Sequence, residues 1–209
     1  MSAADRRTAL VYQVASRLLG YPDEQLLAQL PLLRDAVDQL PQPARTQLGS
    51  LLEHLAGSEP TALGAEYVGT FDLRRRCCPY LTYYAYGDTR KRGVALLAFT
   101  HAYKAAGLVM HPDELPDHLC VVLEFAATAD LDVGRRLLLD HRAGLELMRL
   151  SLADAASPWA GALAAVTGTL PPLRGDEREA VRRLAAEGPP EEEVGLEPFA
   201  PPDYMGARR

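Results

Sequence analysis

The stretch ELPDHLCVVLEFAATA, at residues 114–129, is apolar nearly all round after its first turn. A helix of this kind is normally buried on most of its sides. Such burial requires several other helices around it, because helices form a stable domain by packing their apolar faces into a shared core. The stretch therefore predicts a buried helix within an all-α fold.

The segments on either side of this stretch also have helical periodicity. They are residues 4–19, 22–40, 44–56, 58–71, 89–106, 131–155, 158–168 and 176–188. We expect Pro31 to kink or split the second segment, and Ser58 to cap the fourth. In residues 89–106 the apolar side carries Val94, Leu97 and Ala98. The pattern predicts a single-domain bundle of about eight or nine helices, with no sheet.

The carboxyl end of the chain differs in composition from the rest. Residues 188–209 carry five prolines and five acidic residues, and no basic residue before Arg208. Such a segment cannot bury enough apolar surface to fold alone, so we expect a disordered acidic tail. We therefore divide the chain into a helical domain at residues 1–175 and a short polar helix with its tail at residues 176–209.

Charge and hydropathy exclude some classes of function. The chain has 209 residues and a formal net charge of −6, so the whole protein has no electrostatic attraction to nucleic acid or anionic membrane. No apolar run is long enough for a transmembrane helix. The first residues lack the apolar region of a signal peptide, and we expect a cytoplasmic protein.

The run YVGTFDLRRRCCPYLTYYAYGDTRKR, at residues 67–92, has an unusual composition. It holds five of the nine tyrosines, and six basic residues against two acids. Tyrosine and arginine are typical of recognition surfaces, because each offers a large contact area and a polar group. The run therefore indicates binding rather than catalysis. Alternating tyrosines after Pro79 predict an extended or irregular connection over residues 76–87, which ends in a turn at Gly87 and Asp88.

Two alternatives follow from the same run. A helical regulator could bind nucleic acid through the basic segment between Arg74 and Arg92, although the net charge argues against it. An enzyme could use the thiol of Cys77 or Cys78, but buried structural thiols are the simpler interpretation. Neither the cysteines nor the five histidines have the spacing of a metal site, and no nucleotide-binding motif is present. We predict no cofactor.

The two acids of the 114–129 stretch carry a further hypothesis. Asp117 and Glu124 are seven residues apart, which places them on one face of a helix. Glu124 lies in an apolar stretch, where an unpaired charge is costly. One interpretation is a buried ion pair with one of residues 74–76, or a hydrogen bond to a tyrosine hydroxyl. The other is that Asp117, His118 and Glu124 line a groove for a peptide.

Three segments resemble one known family, the nitrate reductase molybdenum cofactor assembly chaperones of the NarJ or delta-subunit type. The long aromatic and basic run, extended to residues 67–97, is similar to the family signature. ELPDHLCVVLEF, at residues 114–125, is similar to a second motif of the family. YQVASRLLGYPDE, at residues 12–24, is similar to the family's opening helix and turn. The resemblance covers residues 8–170.

The resemblance implies an all-α cytoplasmic protein that is not an enzyme. Members bind the apo form of the catalytic (alpha) subunit of respiratory nitrate reductase, mainly through its N-terminal segment, and keep it competent for molybdenum cofactor insertion. Proteins that deliver the cofactor are further candidate partners. Carried over to this sequence, the peptide-binding residues are Tyr67, Phe71, Tyr80, Tyr83, Tyr84, Tyr86, Asp117, His118 and Glu124.

Overall fold

The computed structural model describes residues 1–111 and 114–190. Within these residues the chain forms eleven α-helices and no strand, which confirms the predicted all-α class. The helices are α1 Ala3–Leu18, α2 Glu24–Asp38, α3 Ala44–Gly57, α4 Pro60–Tyr67, α5 Tyr83–Tyr86, α6 Arg90–Ala105, α7 Leu119–Thr128, α8 Leu131–Asp140, α9 Arg142–Asp154, α10 Ala160–Thr167 and α11 Gly175–Glu187.

Local side-chain caps begin several of these helices. Ser2 forms a capping box with Asp5 at α1, and the Asp23 carboxylate accepts from the backbone N–H of Leu26 at α2. These bonds satisfy N–H groups that have no partner inside the helix. At α4 the cap is Glu59, which precedes Pro60, and not Ser58 as predicted. The carboxylate of Glu59 reaches the N–H of Ala62 at 3.0 Å.

The apolar stretch at residues 114–129 does form a buried helix, α7, but the helix is shorter than predicted. It begins at Leu119, because a bend and a turn within residues 114–117 and the cap residue His118 lead into it. α7 packs against α1 and α8, and Val122 and Leu123 are fully buried there. α3 and α10 pack against each other and against α1, while α11 packs against α9.

Trp159, just before α10, lies at the centre of an aromatic cluster in this core. Its ring packs edge-on against Tyr67 and Phe71, with centroids 5.8 Å and 5.6 Å away, and against His54. Edge-to-face pairs of this kind add to the stabilisation from apolar burial. The cluster joins α10 to α4 and to the π-helical turn Val68–Asp72 that continues α4.

Several sequence expectations differ from the fold. Pro31 does not split α2. It faces solvent and not the core, so water can bind the helix carbonyl that has no partner because proline lacks a backbone N–H. The predicted helix over residues 131–155 is divided at His141 into α8 and α9. In α6 the predicted core side is wrong. Val94 and Leu97 are exposed, and the aromatic rings of Phe99 and Tyr103 are buried instead.

The tyrosine-rich connection is more ordered than predicted. A 3₁₀ turn, Arg75–Cys77, is followed by a single antiparallel bridge between Tyr80 and His118. The chain then forms α5, so Tyr84 and Tyr86, which were predicted to alternate in an extended segment, lie in one helical turn, and Tyr80 alone of these tyrosines is extended. The predicted acidic tail lies outside the described residues from 191 onward. None of the described helices has the length and apolar content needed to cross a membrane.

Candidate functional site

Asp117 joins the tyrosine-rich connection to α7. Its side chain is fully buried, and its Oδ2 accepts hydrogen bonds from the backbone N–H and the hydroxyl of Thr82, at 3.1 and 2.5 Å. Two backbone bonds run alongside, from the N–H of Leu81 to Asp117 and from the N–H of Leu119 to Pro79. A buried carboxylate with several donors of this kind is a strong structural contact.

Arg92 supplies the positive charge beside this carboxylate. Its side chain is 14% exposed, and its guanidinium lies 3.6 Å from Asp117 and 2.7 Å from Asp88. The same group donates to the hydroxyl of Thr82 and lies 5.2 Å from the centroid of the Tyr80 ring. This geometry places a cation over an aromatic face, which adds to the stabilisation.

The predicted buried ion pair therefore exists, but between different residues. Glu124 is exposed, so it needs no buried partner, and the interpretation that it pairs with one of residues 74–76 is wrong. Asp117 is the buried acid and Arg92 its partner. The two acids do not share a helix face, because α7 begins only after Asp117.

Two cavities flank the ring of Tyr80, which lines both of them. We call them the first and the second cavity. The first has a volume of about 340 Å³ and lies between the α1–α2 turn and the beginning of α7. The second, of about 590 Å³, is lined by residues between 71 and 92, among them Phe71 and Tyr83. The ring of Tyr80 packs edge-on against that of His118, which lines the first cavity, with centroids 5.2 Å apart.

The first cavity brings together all three segments that carry the family resemblance. Tyr21 and Asp23 come from the opening turn, Tyr80 from the aromatic run, and His118 and Glu124 from the second motif. The cavity is lined by the carboxylates of Asp23, Glu114 and Glu124 and by the guanidinium of Arg17. The net charge of these four groups is −2. An acidic cavity favours a ligand segment that carries positive charge.

The predicted peptide-binding residues separate into two groups. Phe71, Tyr80, Tyr83, His118 and Glu124 line one or both cavities. Tyr86 is partly exposed and lines neither the first nor the second cavity. For these six, a role in binding stays a prediction.

Tyr67, Tyr84 and Asp117 lie in the interior, where their side chains make structural contacts, and they line neither the first nor the second cavity. For these three, too, a role in binding stays a prediction. The hydroxyl of Tyr67 donates to the carbonyl of Leu19 at 3.1 Å. The hydroxyl of Tyr84 is 2.8 Å from the carbonyl of Cys78 and 3.1 Å from that of Arg76. Burial raises the pKa of both phenols, so each remains a donor.

Sequence reasoning missed several residues of this region. Tyr21, Arg17 and Asp23 line the first cavity, yet no binding role was predicted for them, although the opening segment was recognised as family-like. Thr82 and Arg92 were not singled out as partners of Asp117. An acid and a base 25 residues apart give no signal of contact in one sequence, because only the fold brings them together.

The cysteines have the environment of structural thiols. Burial raises the pKa of Cys78 to about 11 and that of Cys120 to about 12, and it also raises the pKa of Cys77. Since the thiolate is the reactive form, these residues are poor nucleophiles at neutral pH. Across residues 1–111 and 114–190, no cluster of three or more His, Cys, Asp or Glu residues could hold a metal ion.

His118 begins α7 as a neutral cap. Its Nδ1 accepts from the backbone N–H of Cys120 at 3.2 Å, which requires an unprotonated Nδ1. Burial lowers the pKa of His118, although the nearby carboxylates of Asp117 and Glu114 oppose this effect. Because the folded pKa is lower than the unfolded one, the stability gained from neutral His118 is complete above the unfolded pKa. It is lost as pH falls through the folded pKa.

We expect His118→Asn to reduce the acid sensitivity of the fold. Asparagine is a good helix cap and does not titrate, so the variant keeps the cap at every pH. Between about pH 7 and pH 5, the wild type should lose more stability than the variant in urea titrations. His101→Asn, at an exposed position on α6, is the control and should follow the wild type. Equal acid sensitivity in all three proteins would contradict the role of His118.

The fold has a known counterpart. The crystal structure of a "Putative Redox Enzyme Maturation Protein" from Archaeoglobus fulgidus superposes with a TM-score of 0.55. The likeness covers 80% of this chain and 94% of the other, at 23% sequence identity. At that identity the likeness shows a shared helical-bundle fold.

The family follows from the sequence comparisons. The profile of the nitrate reductase delta subunit matches residues 37–165, and the chain therefore belongs to that family. It is 35% identical to the "Probable nitrate reductase molybdenum cofactor assembly chaperone NarJ" of Bacillus subtilis, over 65% of this chain and 73% of that one.

Two other relatives are matched over only part of their own length. The chain is 41% identical to the "Nitrate reductase-like protein NarX" of Mycobacterium tuberculosis, over 77% of its own length and only 24% of the relative's. It is 33% identical to the "Nitrate reductase molybdenum cofactor assembly chaperone NarJ" of Escherichia coli, over 54% of this chain and 50% of that one.

Proposed function

We propose that this protein is a cytoplasmic assembly chaperone for respiratory nitrate reductase. It binds the apo catalytic subunit, mainly through the N-terminal segment of that subunit, and keeps it competent for molybdenum cofactor insertion. The observation that carries the proposal is the first cavity, where all three family-like segments meet. The names of the relatives from Bacillus subtilis and Escherichia coli support the same role.

The chemistry of the first cavity suits a short peptide. Its walls combine the partly exposed ring of Tyr21 and the half-buried ring of Tyr80 with three carboxylates. Aromatic rings provide contact area at a low cost in conformational entropy, and carboxylates select a segment with positive charge. A segment that is disordered until it binds gives reversible binding, as a transient chaperone requires.

The described residues favour binding over the two alternatives. The enzyme hypothesis rested on Cys77 and Cys78, whose raised thiol pKa values make them poor nucleophiles at neutral pH. The nucleic-acid hypothesis rested on the basic segment, but Arg92 points inward to Asp117, and Arg75 bonds to Tyr83 and to backbone carbonyls. A steep salt dependence of DNA affinity is the result that would revive the second hypothesis.

We expect a peptide from the N-terminus of the nitrate reductase catalytic subunit to bind the purified protein, and Glu124→Gln to weaken that binding about fivefold. This loss is the size expected for a charge at a partly exposed contact. Tyr21→Ala removes an aromatic wall and should weaken binding about tenfold. Isothermal titration calorimetry measures both effects.

Asp132→Asn is the matched control, because its side chain is 88% exposed on α8, away from the cavity. It should bind as the wild type does, and all variants should keep the helical circular dichroism of the parent. If the peptide fails to bind the folded wild type, the proposed function is wrong. If it binds but the three variants behave alike, the first cavity is not the site.

A further inference from the structure

The helix α6 carries a row of exposed residues on the side that faces away from the core. These residues are three and four positions apart, so they follow one another along one face of the helix: Arg90, Val94, Leu97, His101 and Lys104. All five are exposed, and Val94 and Leu97 are 70% and 51% exposed. None of them lines the first or the second cavity. We call this row the α6 stripe.

The centre of the α6 stripe is apolar. Ala98 and Ala105 lie beside Val94 and Leu97 on the same side of the helix, and both are exposed as well. Single apolar side chains are common on protein surfaces, whereas neighbouring ones rimmed by charges are typical of an interaction site. The buried aromatic rings of α6 lie on the opposite side, so the exposed side is not needed to hold the helix in place.

Positive charge surrounds this apolar centre. The formal charge of the chain is −6, yet residues 89–111 contain no acidic residue. Arg90 and Lys91 lie at the beginning of the face, and Lys104 lies at its end. These three side chains are exposed and form no ion pair with any residue that the structure describes. A positive face on a negatively charged protein selects a partner that carries acidic residues.

The charge pattern argues against pairing with the α6 stripe of a second copy. In an antiparallel pair of α6 helices, Arg90 would lie opposite Lys104 of the other copy, and in a parallel pair each would lie opposite itself. Both arrangements bring like charges together, which is unfavourable. The complementary surface has acids at both ends of an apolar face. Since the stripe is about 21 Å long, a helix of about 15 residues would cover it.

We propose that the α6 stripe is a docking surface for a helix of another protein, one with an apolar face and acidic residues at both ends of that face. Val94 and Leu97 pack against the apolar centre of this helix. The cations at the two ends of the stripe pair with its acids, and they fix its position along α6. This surface is separate from both cavities. It goes beyond the proposed function and does not depend on it.

Two synthetic helical peptides test the proposal on the full chain. Both have about 15 residues and leucines along one face, and the ends of that face carry glutamates in one peptide and lysines in the other. We expect the glutamate peptide to bind at least about tenfold more tightly, because complementary charges decide between partners. Leu97→Ala should weaken its binding about tenfold, and K91Q/K104Q about fivefold. Fluorescence anisotropy of labelled peptides measures these effects.

Matched controls come from other helices. Leu32→Ala, at a position that is 70% exposed on α2, is the control for Leu97. R182Q/R183Q removes two exposed positive charges from α11 and is the control for K91Q/K104Q. Both controls should bind the glutamate peptide as the wild type does. All the replaced side chains are exposed, so each variant should keep the circular dichroism of the parent. Equal affinity for the two peptides, or unchanged binding in both α6 variants, would overturn the proposal.

Other occupants of the α6 stripe give different results. Self-association in sedimentation that Leu97→Ala abolishes would assign the stripe to a second copy of the chain. Binding to phosphatidylglycerol vesicles that K91Q/K104Q abolishes, without preference for the glutamate peptide, would assign it to a membrane surface. Tighter binding of the glutamate peptide by E191Q/E192Q/E193Q would assign it to the acidic end of the same chain. Each of these results would overturn the proposal.

Discussion

Asp117→Ala is expected to destabilise the protein by about 3 kcal/mol, because removing one partner of a buried ion pair leaves the other groups without compensation. The change takes the acceptor from the backbone N–H and the hydroxyl of Thr82, and leaves Arg92 beside an apolar methyl. A urea titration followed by circular dichroism measures the loss as a lower midpoint.

Asp88→Ala provides a matched control for this change. Asp88 pairs with the same guanidinium of Arg92, but its side chain is 48% exposed. Exposed ion pairs contribute at most about 1 kcal/mol, so the control should lose little stability. Asp117→Asn should fall between the two, because an amide keeps one acceptor oxygen. If Asp88→Ala costs as much as Asp117→Ala, the buried carboxylate does not hold the two segments together.

Tyr84→Ala is expected to cost about 3 kcal/mol, the lower end of the range for deleting a buried aromatic ring. The side chain is 4% exposed and packs so closely on α9 that a Cβ on Gly144 would lie 2.6 Å from its ring. Its hydroxyl also holds the carbonyl of Cys78. Tyr84→Phe keeps the ring and should lose about 1 kcal/mol, the usual contribution of one hydrogen bond.

Tyr86→Ala is the control for Tyr84, from the same helical turn. Tyr86 is 37% exposed, and its replacement should change stability by no more than about 0.5 kcal/mol. The two tyrosines are equivalent in sequence pattern, so the difference in stability between the two alanine variants measures the effect of tertiary burial. Similar losses in both variants would contradict the structural role that we assign to Tyr84. Urea midpoints at equal protein concentration make the comparison.

Much of the architecture could be predicted because helical periodicity is local. The repeat of leucines in α2 and α3 and the apolar character of α7 report which residues turn away from water, whatever they pack against. Prolines and glycines indicated where helices begin and end. These signals were sufficient to predict the all-α class and the positions of most helices. The long family-like segments were sufficient to predict the family.

The errors occurred where contacts between distant segments decide the local structure. The alternating tyrosines suggested an extended chain, but after the bridge at Tyr80 the backbone N–H of Thr82 bonds to the distant Asp117 and α5 begins at the next residue. One of the two interpretations of Glu124 placed it in a buried ion pair, because its neighbours in the sequence are apolar. It is exposed because it lies on the face of α7 that lines the first cavity.

The sequence by itself determined that this chain is helical, that it belongs to the nitrate reductase delta subunit family, and which segments carry the family resemblance. Only the tertiary structure decided which residues of those segments face a cavity and which support it. Tyr80 and Tyr84 illustrate the division, since one lines both cavities and the other is sealed against α9. The physical reason is that burial depends on which elements meet, and packing between distant segments sets that arrangement.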